Sequence, residues 1–140
     1  HDLAQGERVE LRSLFERIER DLRQLLPDGI RLVIEVGDDR VSPSLANALL
    51  LIVNEFVSNS VKHGLQDRSG SIAIAIRAGD DGWSIACSDD GSATSADAER
   101  AALAKGLGTR VIQSLASSFG VTPDWSANGS GMHLRIDAAA

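Results

Sequence analysis

The sequence predicts a two-layer α/β sandwich, with helices packed on one face of a mixed, mostly antiparallel sheet. Two observations carry that expectation. Apolar residues recur with helical period in some stretches and alternate strictly in others, and the segments run helix, strand, helix, strand, strand, helix, strand, strand. That order contains hairpins, which a strictly alternating parallel sheet would not. A chain of 140 residues suits one domain with one core, so 1–140 reads as a single unit, with 1–7 a disordered or tag-derived end.

Leu11, Leu14, Phe15, Ile18, Leu22, Leu25 and Leu26 fall on one helical face, and Pro27-Asp28-Gly29 stops that helix. Ile30, Leu32 and Ile34 then alternate with Arg31, Val33 and Glu35 as a strand. Ser42-Pro43 supplies a cap and a first-turn proline for a long central helix that reaches Gly64. Ile72, Ile74 and Ile76 alternate, Gly79-Asp80-Asp81-Gly82 turns the chain, and Trp83, Ile85 and Cys87 alternate again, which is a hairpin. Asp89 to Gly106 loses all periodicity and reads as a long mobile loop, with a loose helix allowed over 96–104. A helix from Leu107 to Phe119 ends at Gly120, and strands near 121–126 and 132–137 close the chain around the turn 127–131.

Composition narrows the function. Only 4% of residues are aromatic, so the core is aliphatic. Fourteen Lys plus Arg against twenty Asp plus Glu give a net charge of −6, which argues against a nucleic-acid surface. The lone Cys87 cannot form an internal disulfide and reads as a small buried hydrophobe. No apolar run is read as a membrane span or a signal peptide, so the expectation is a cytoplasmic domain without direct membrane contact, whose parent could be anchored through other segments.

At about 100° per residue, Glu55, Ser58, Asn59, Lys62 and His63 share one arc of the central helix, opposite Leu49, Val53, Phe56 and Val57. A carboxylate can activate a nucleophile, a carboxamide oxygen can ligate Mg²⁺, and an ammonium and an imidazole can contact phosphates. Two glycine-bearing segments flank the long loop, Ser88-Asp89-Asp90-Gly91 and Lys105-Gly106-Leu107-Gly108-Thr109. The second opens a helix, where free N–H groups and the positive dipole end suit a polyphosphate. Neither GxxxxGK[ST] nor a complete GxGxxG occurs, which excludes a P-loop and a Rossmann site.

The run Asn54-Glu55-Phe56-Val57-Ser58-Asn59-Ser60-Val61-Lys62-His63-Gly64 resembles the N box of sensor histidine kinases, within the GHKL ATPases of Bergerat fold. Asp89-Asp90-Gly91 resembles the family's first glycine box, Gly106-Leu107-Gly108 the second, and Gly129-Ser130-Gly131-Met132 the closing element, all in family order. The resemblance implies ATP and Mg²⁺ as ligands. Asn59 would ligate the metal, and Glu55 would polarise the attacking imidazole or a water. Lys62, His63, Lys105, Leu107 and Thr109 would lie on the nucleotide, and Asp89 would accept a hydrogen bond from the adenine amine. Gly91 would let the base approach backbone, Gly106 and Gly108 would close the phosphate side of a lid over 92–105, and Met132 would lie near the base. Ala93 and Met132 stand where the family commonly has Gly and Thr.

The same resemblance implies γ-phosphoryl transfer to a His on a separate helical hairpin, a dimeric intact kinase and a response-regulator partner; no such hairpin precedes residue 8, so this domain is not expected to autophosphorylate. Two alternatives stay open: a GHKL protein-serine kinase that silences a sigma factor, and a degenerate domain that docks without binding ATP. The N-box wording favours the histidine kinase over the first. Asn59, Asp89 and the lid glycines weigh against the second.

Overall fold

The computed structural model describes residues 7–66 and 68–139; apart from Glu7, the expected disordered or tag-derived end lies outside them. Strand β1 (Val9–Glu10) leads into helix α1 (Leu11–Leu25), followed by β2 (Ile30–Val36), β3 (Arg40–Val41) and α2 (Pro43–Asn59). The last helix runs on through a π-helical turn at Ser60–Gly64. The hairpin β4 (Gly70–Gly79) and β5 (Gly82–Asp89) precedes α3 (Ser95–Ala102), α4 (Leu107–Ser118), β6 (Asp124–Ala127) and β7 (Met132–Ala139).

Five strands form one sheet in the order β2-β4-β5-β7-β6, with β2 and β4 parallel and every other pair antiparallel. The alternation read from sequence sorts the two faces. Leu32, Ile72, Ile74, Ile76, Ile85, Cys87, Leu134 and Ile136 point inward and are buried, whereas Arg31, Val33, Arg77, His133 and Arg135 lie exposed on the uncovered face. Leu11 and Phe15 of α1, Leu49, Ile52, Val53 and Phe56 of α2, and Ile112 and Ala116 of α4 close the core from the other side. This is the expected two-layer sandwich.

Helix α2 begins as its residues dictate: Ser42 Oγ accepts from Leu45 N at 3.2 Å and Pro43 occupies the first turn. Pro43–Gly64 is long and apolar enough, by length and composition alone, to cross a membrane, contrary to the expectation that no such run exists. Its apolar face is instead spent on the sheet, with residues from Leu45 to Val57 buried.

Three features depart from the sequence reading. The two-residue ribbon of β1 with β3 pairs Val9 with Val41 and Glu10 with Arg40, too short a pattern for periodicity to reveal. Strand β6 starts at Asp124, not near Val121, because the buried Pro123 has no N–H for a ladder. In the long loop, the loose helix allowed over 96–104 is a regular capped helix, α3, at Ser95–Ala102.

Candidate functional site

A cavity of about 860 Å³ opens between the end of α2, the ends of β5 and β7, and the segment that carries α3 into α4. Glu55, Asn59, Lys62, His63, Asp89, Lys105, Gly106, Leu107, Gly108, Thr109 and Met132 all line it. Residues 77 positions apart in sequence are thus gathered by the fold around one space large enough for a drug-sized ligand. Gly91 is not among its walls. A Cβ there would lie 2.2 Å from the Gly64 carbonyl oxygen, so Gly91 makes room for the π-helical turn.

At one end of the cavity Asp89, 6% exposed, is held by three donors. Its Oδ1 accepts from Gly91 N at 2.9 Å and Met132 N at 3.1 Å, and its Oδ2 accepts from the Ser60 hydroxyl at 2.7 Å. A buried carboxylate needs such partners. Backbone packs equally tightly around it. Gly131 has φ +139°, and a Cβ on it would lie 1.9 Å from the Asp89 carbonyl oxygen, so only glycine fits there.

At the other end α4 meets α2. A Cβ on Gly108 would come within 2.8 Å of Glu55 Oε2 and 3.3 Å of Asn59 Oδ1, so the bare backbone of the α4 N-terminus rests beside both side chains. Gly106 caps that helix, with Thr109 Oγ1 accepting from Gly106 N at 3.0 Å. The N–H groups of the first turn have no carbonyl one turn earlier to bond, which makes this end electropositive. Lys62, His63, Arg100 and Lys105 line the same cavity, a gathering of basic groups in an acidic chain.

The segment from Ser92 to Lys105 is more ordered than its composition suggests. Thr94 and Asp97 form a capping box: Asp97 N donates to Thr94 Oγ1 at 3.3 Å and Thr94 N donates to Asp97 Oδ2 at 2.8 Å. The Thr94 bonds hold the Asp97 carboxyl below the usual carboxylate range, with Arg100 and His63 adding to the effect. Ala98 and Ala101 are buried where α3 packs on β6, and Gly129 N donates to the Ala93 carbonyl at 2.7 Å. Beyond α3 the chain loosens. Ala104 has φ +53°, Leu103 is 68% exposed, and Leu107, which lines the cavity, is 75% exposed.

Several cavity residues escaped the sequence reading. Ser60 lies on the core side of the helical wheel, and a hydroxyl there was itself a signal that a polar partner exists. Arg100 lies within the loose helix allowed over 96–104 but is not singled out as a site residue; Thr94-Ser95-Ala96-Asp97 is a capping-box pattern that marks the start of that helix. Trp125 reaches the cavity while stacking on Phe56 at a centroid distance of 6.4 Å; Trp83 packs edge-on against Phe119. Burial pushes the Cys87 thiol far above its ordinary range, which removes it as a nucleophile. No group of three His, Cys, Asp or Glu side chains stands close enough to hold a metal ion among the described residues.

A two-layer sandwich with a polar helix face, a buried acceptor carboxylate at one end of a cavity and a bare helix N-terminus at the other defines a nucleotide-binding class of domain. The sequence pattern of the histidine kinase-like ATPase domains matches residues 20–137, and the chain belongs to that family. No curated protein sequence matches it. Among solved structures it is similar to the histidine kinase domain of the blue-light activated histidine kinase EL346 from Erythrobacter litoralis, with TM-score 0.81 and 21% identity over 93% of this chain and 65% of that one. It spans 42% of a longer structure of the same kinase. It is also similar to the ATP binding domain of PrrB from Mycobacterium tuberculosis, with TM-score 0.71 and 20% identity over 95% of this chain and 97% of that one.

Proposed function

We propose that this domain binds ATP with Mg²⁺ and transfers the γ-phosphoryl group to a histidine on a separate phosphoacceptor hairpin of its parent protein, as the catalytic domain of a cytoplasmic sensor histidine kinase. The observation that carries the reading is the polarity of the cavity, with the acceptor Asp89 at one end and the α4 N-terminus beside Glu55 and Asn59 at the other. The intact kinase is taken to be dimeric and to pass its phosphoryl group to a response regulator.

In this reading Asp89 accepts from the exocyclic amine of adenine, and a 6-oxo purine is rejected because it offers a second acceptor. Lys62, His63, Arg100, Lys105 and the first-turn amides of α4 hold the polyphosphate. Mg²⁺ needs only one or two protein oxygens when phosphates and waters complete its octahedron, so the Asn59 carboxamide oxygen beside the helix N-terminus fits it without a carboxylate cage. When bound, the ion supplies charge neutralisation at the phosphates. Glu55 accepts the proton of the attacking imidazole and orients its lone pair towards phosphorus.

The test supplies the parent protein's phosphoacceptor hairpin as a separate fragment with labelled ATP. Glu55→Gln is expected to slow transfer by about a hundredfold or more while leaving ATP affinity within about threefold. Loss of ATP binding as complete as that of Asn59→Ala would contradict the role given to Glu55.

A further inference from the structure

Ser60 and Asp89 are the two buried polar residues of the described chain, at 3% and 6% exposure, and they are bonded to each other. The pairing depends on the π-helical turn. Leu65 N donates to the Ser60 carbonyl at 2.7 Å, five residues back, and the widened turn brings both Ser60 and Gly64 against the carboxylate. A Cβ on Gly64 would lie 2.7 Å from Asp89 Oδ2, so the turn and the carboxylate are packed together without slack.

An ionised carboxylate offers about four lone-pair sites. Gly91 N and Met132 N occupy those of Oδ1, and the Ser60 hydroxyl takes one on Oδ2. One site remains. The two amides hold Oδ1, and the Ser60 hydroxyl is the hydrogen-bond donor that holds Oδ2. A fixed carboxylate with a single open acceptor suits one N–H donor and is mismatched to a carbonyl.

We propose that Ser60 is a positioning residue for base recognition: its hydroxyl locks the Asp89 carboxylate so that one acceptor site faces the ligand, and this sets the preference for a 6-amino over a 6-oxo purine nucleotide. The proposal rests on the nucleotide reading of the cavity. The Ser60 side chain donates to Asp89 Oδ2, so its contribution is assigned to the base and not to the triphosphate.

The experiment measures affinities of ATP and inosine triphosphate, both with Mg²⁺, for the protein and for Ser60→Ala. The ATP-to-ITP preference is expected to fall about tenfold in the variant, by weakening ATP and sparing ITP. Ser60→Thr, which keeps the hydroxyl, is expected to restore it, and Ser60→Ala on top of Asp89→Asn is expected to change the ratio no further. A merely structural serine would weaken both nucleotides equally, which overturns the proposal. An unaltered ATP preference in Ser60→Ala overturns the proposal and leaves the nucleotide reading standing, whereas absence of saturable binding of either nucleotide to the unaltered protein overturns both. Should the variant not fold, NMR of the unaltered protein decides. The Ser60 hydroxyl proton is expected to exchange slowly and to shift on addition of ATP but not of tripolyphosphate; equal shifts with both overturn the proposal.

Discussion

The two ends of the cavity are built on opposite plans. At the Asp89 end every carboxylate acceptor site except one is committed, Gly64 and Gly131 press backbone against Asp89, and Gly91 presses against Gly64, so closely that no side chain could replace their hydrogens. At the α4 end the groups are long, exposed and adjustable: Lys62, His63, Arg100 and Lys105 lie at the surface of the cavity that the helix N-terminus borders. The difference teaches how one site divides its labour. Discrimination between bases needs a rigid donor and acceptor pattern, whereas a polyphosphate is attracted over several ångströms by charges that need not be fixed.

The largest effect is expected where the rigid end is forced open. Gly131→Ala places a methyl group on the Asp89 carbonyl at a backbone angle that L-residues rarely adopt, and it is expected to cost about 4 kcal/mol of stability. Chemical denaturation measures this; a loss under about 1 kcal/mol would mean that the Asp89 end yields, and the contrast between the ends would weaken.

A smaller effect is expected at the adjustable end. Arg100→Ala and Lys105→Ala are each expected to weaken ATP by roughly 1 kcal/mol without altering stability, and the loss is expected to shrink as salt rises, because exposed charges are screened over about 8 to 10 Å. Adenosine, which has no phosphate, is expected to bind all three proteins alike. A salt-independent loss would place these side chains in a fixed, desolvated contact instead.

The smallest effect concerns helix α3. The Asp97 carboxyl is held below its unfolded value, so its bond to Thr94 stabilises α3 above the ordinary carboxylate range and is lost as pH falls through the lowered value. Amide exchange in α3 is expected to accelerate, relative to the core, on acidification through that window, and Asp97→Asn is expected to flatten the dependence.

The same contrast explains what could be read from sequence. Features set by local period were legible: the alternation of Ile72, Ile74 and Ile76, the Ser42-Pro43 start of α2, and the polar arc of Glu55, Asn59, Lys62 and His63, which the fold does turn into one cavity. Features set by contact between distant segments were not. Ser60 meets a carboxylate 29 residues away, Gly91 is small because of the Gly64 carbonyl, and α3 is ordered in part because Ala98 and Ala101 find β6. The capping box at Thr94 was the exception, a local signal present in the chain and outweighed by the surrounding Ser, Ala and Asp.

Calorimetric titration of ATP into the domain, with and without millimolar Mg²⁺, tests the central claim most directly. Saturable binding is expected that tightens with Mg²⁺ and that weakens by about 2 kcal/mol or more in Asp89→Asn, whose amide presents a donor where only acceptors are matched. Absence of heat and of any chemical-shift change with ATP and Mg²⁺, or equal affinity of Asp89→Asn and the unaltered protein, would contradict it.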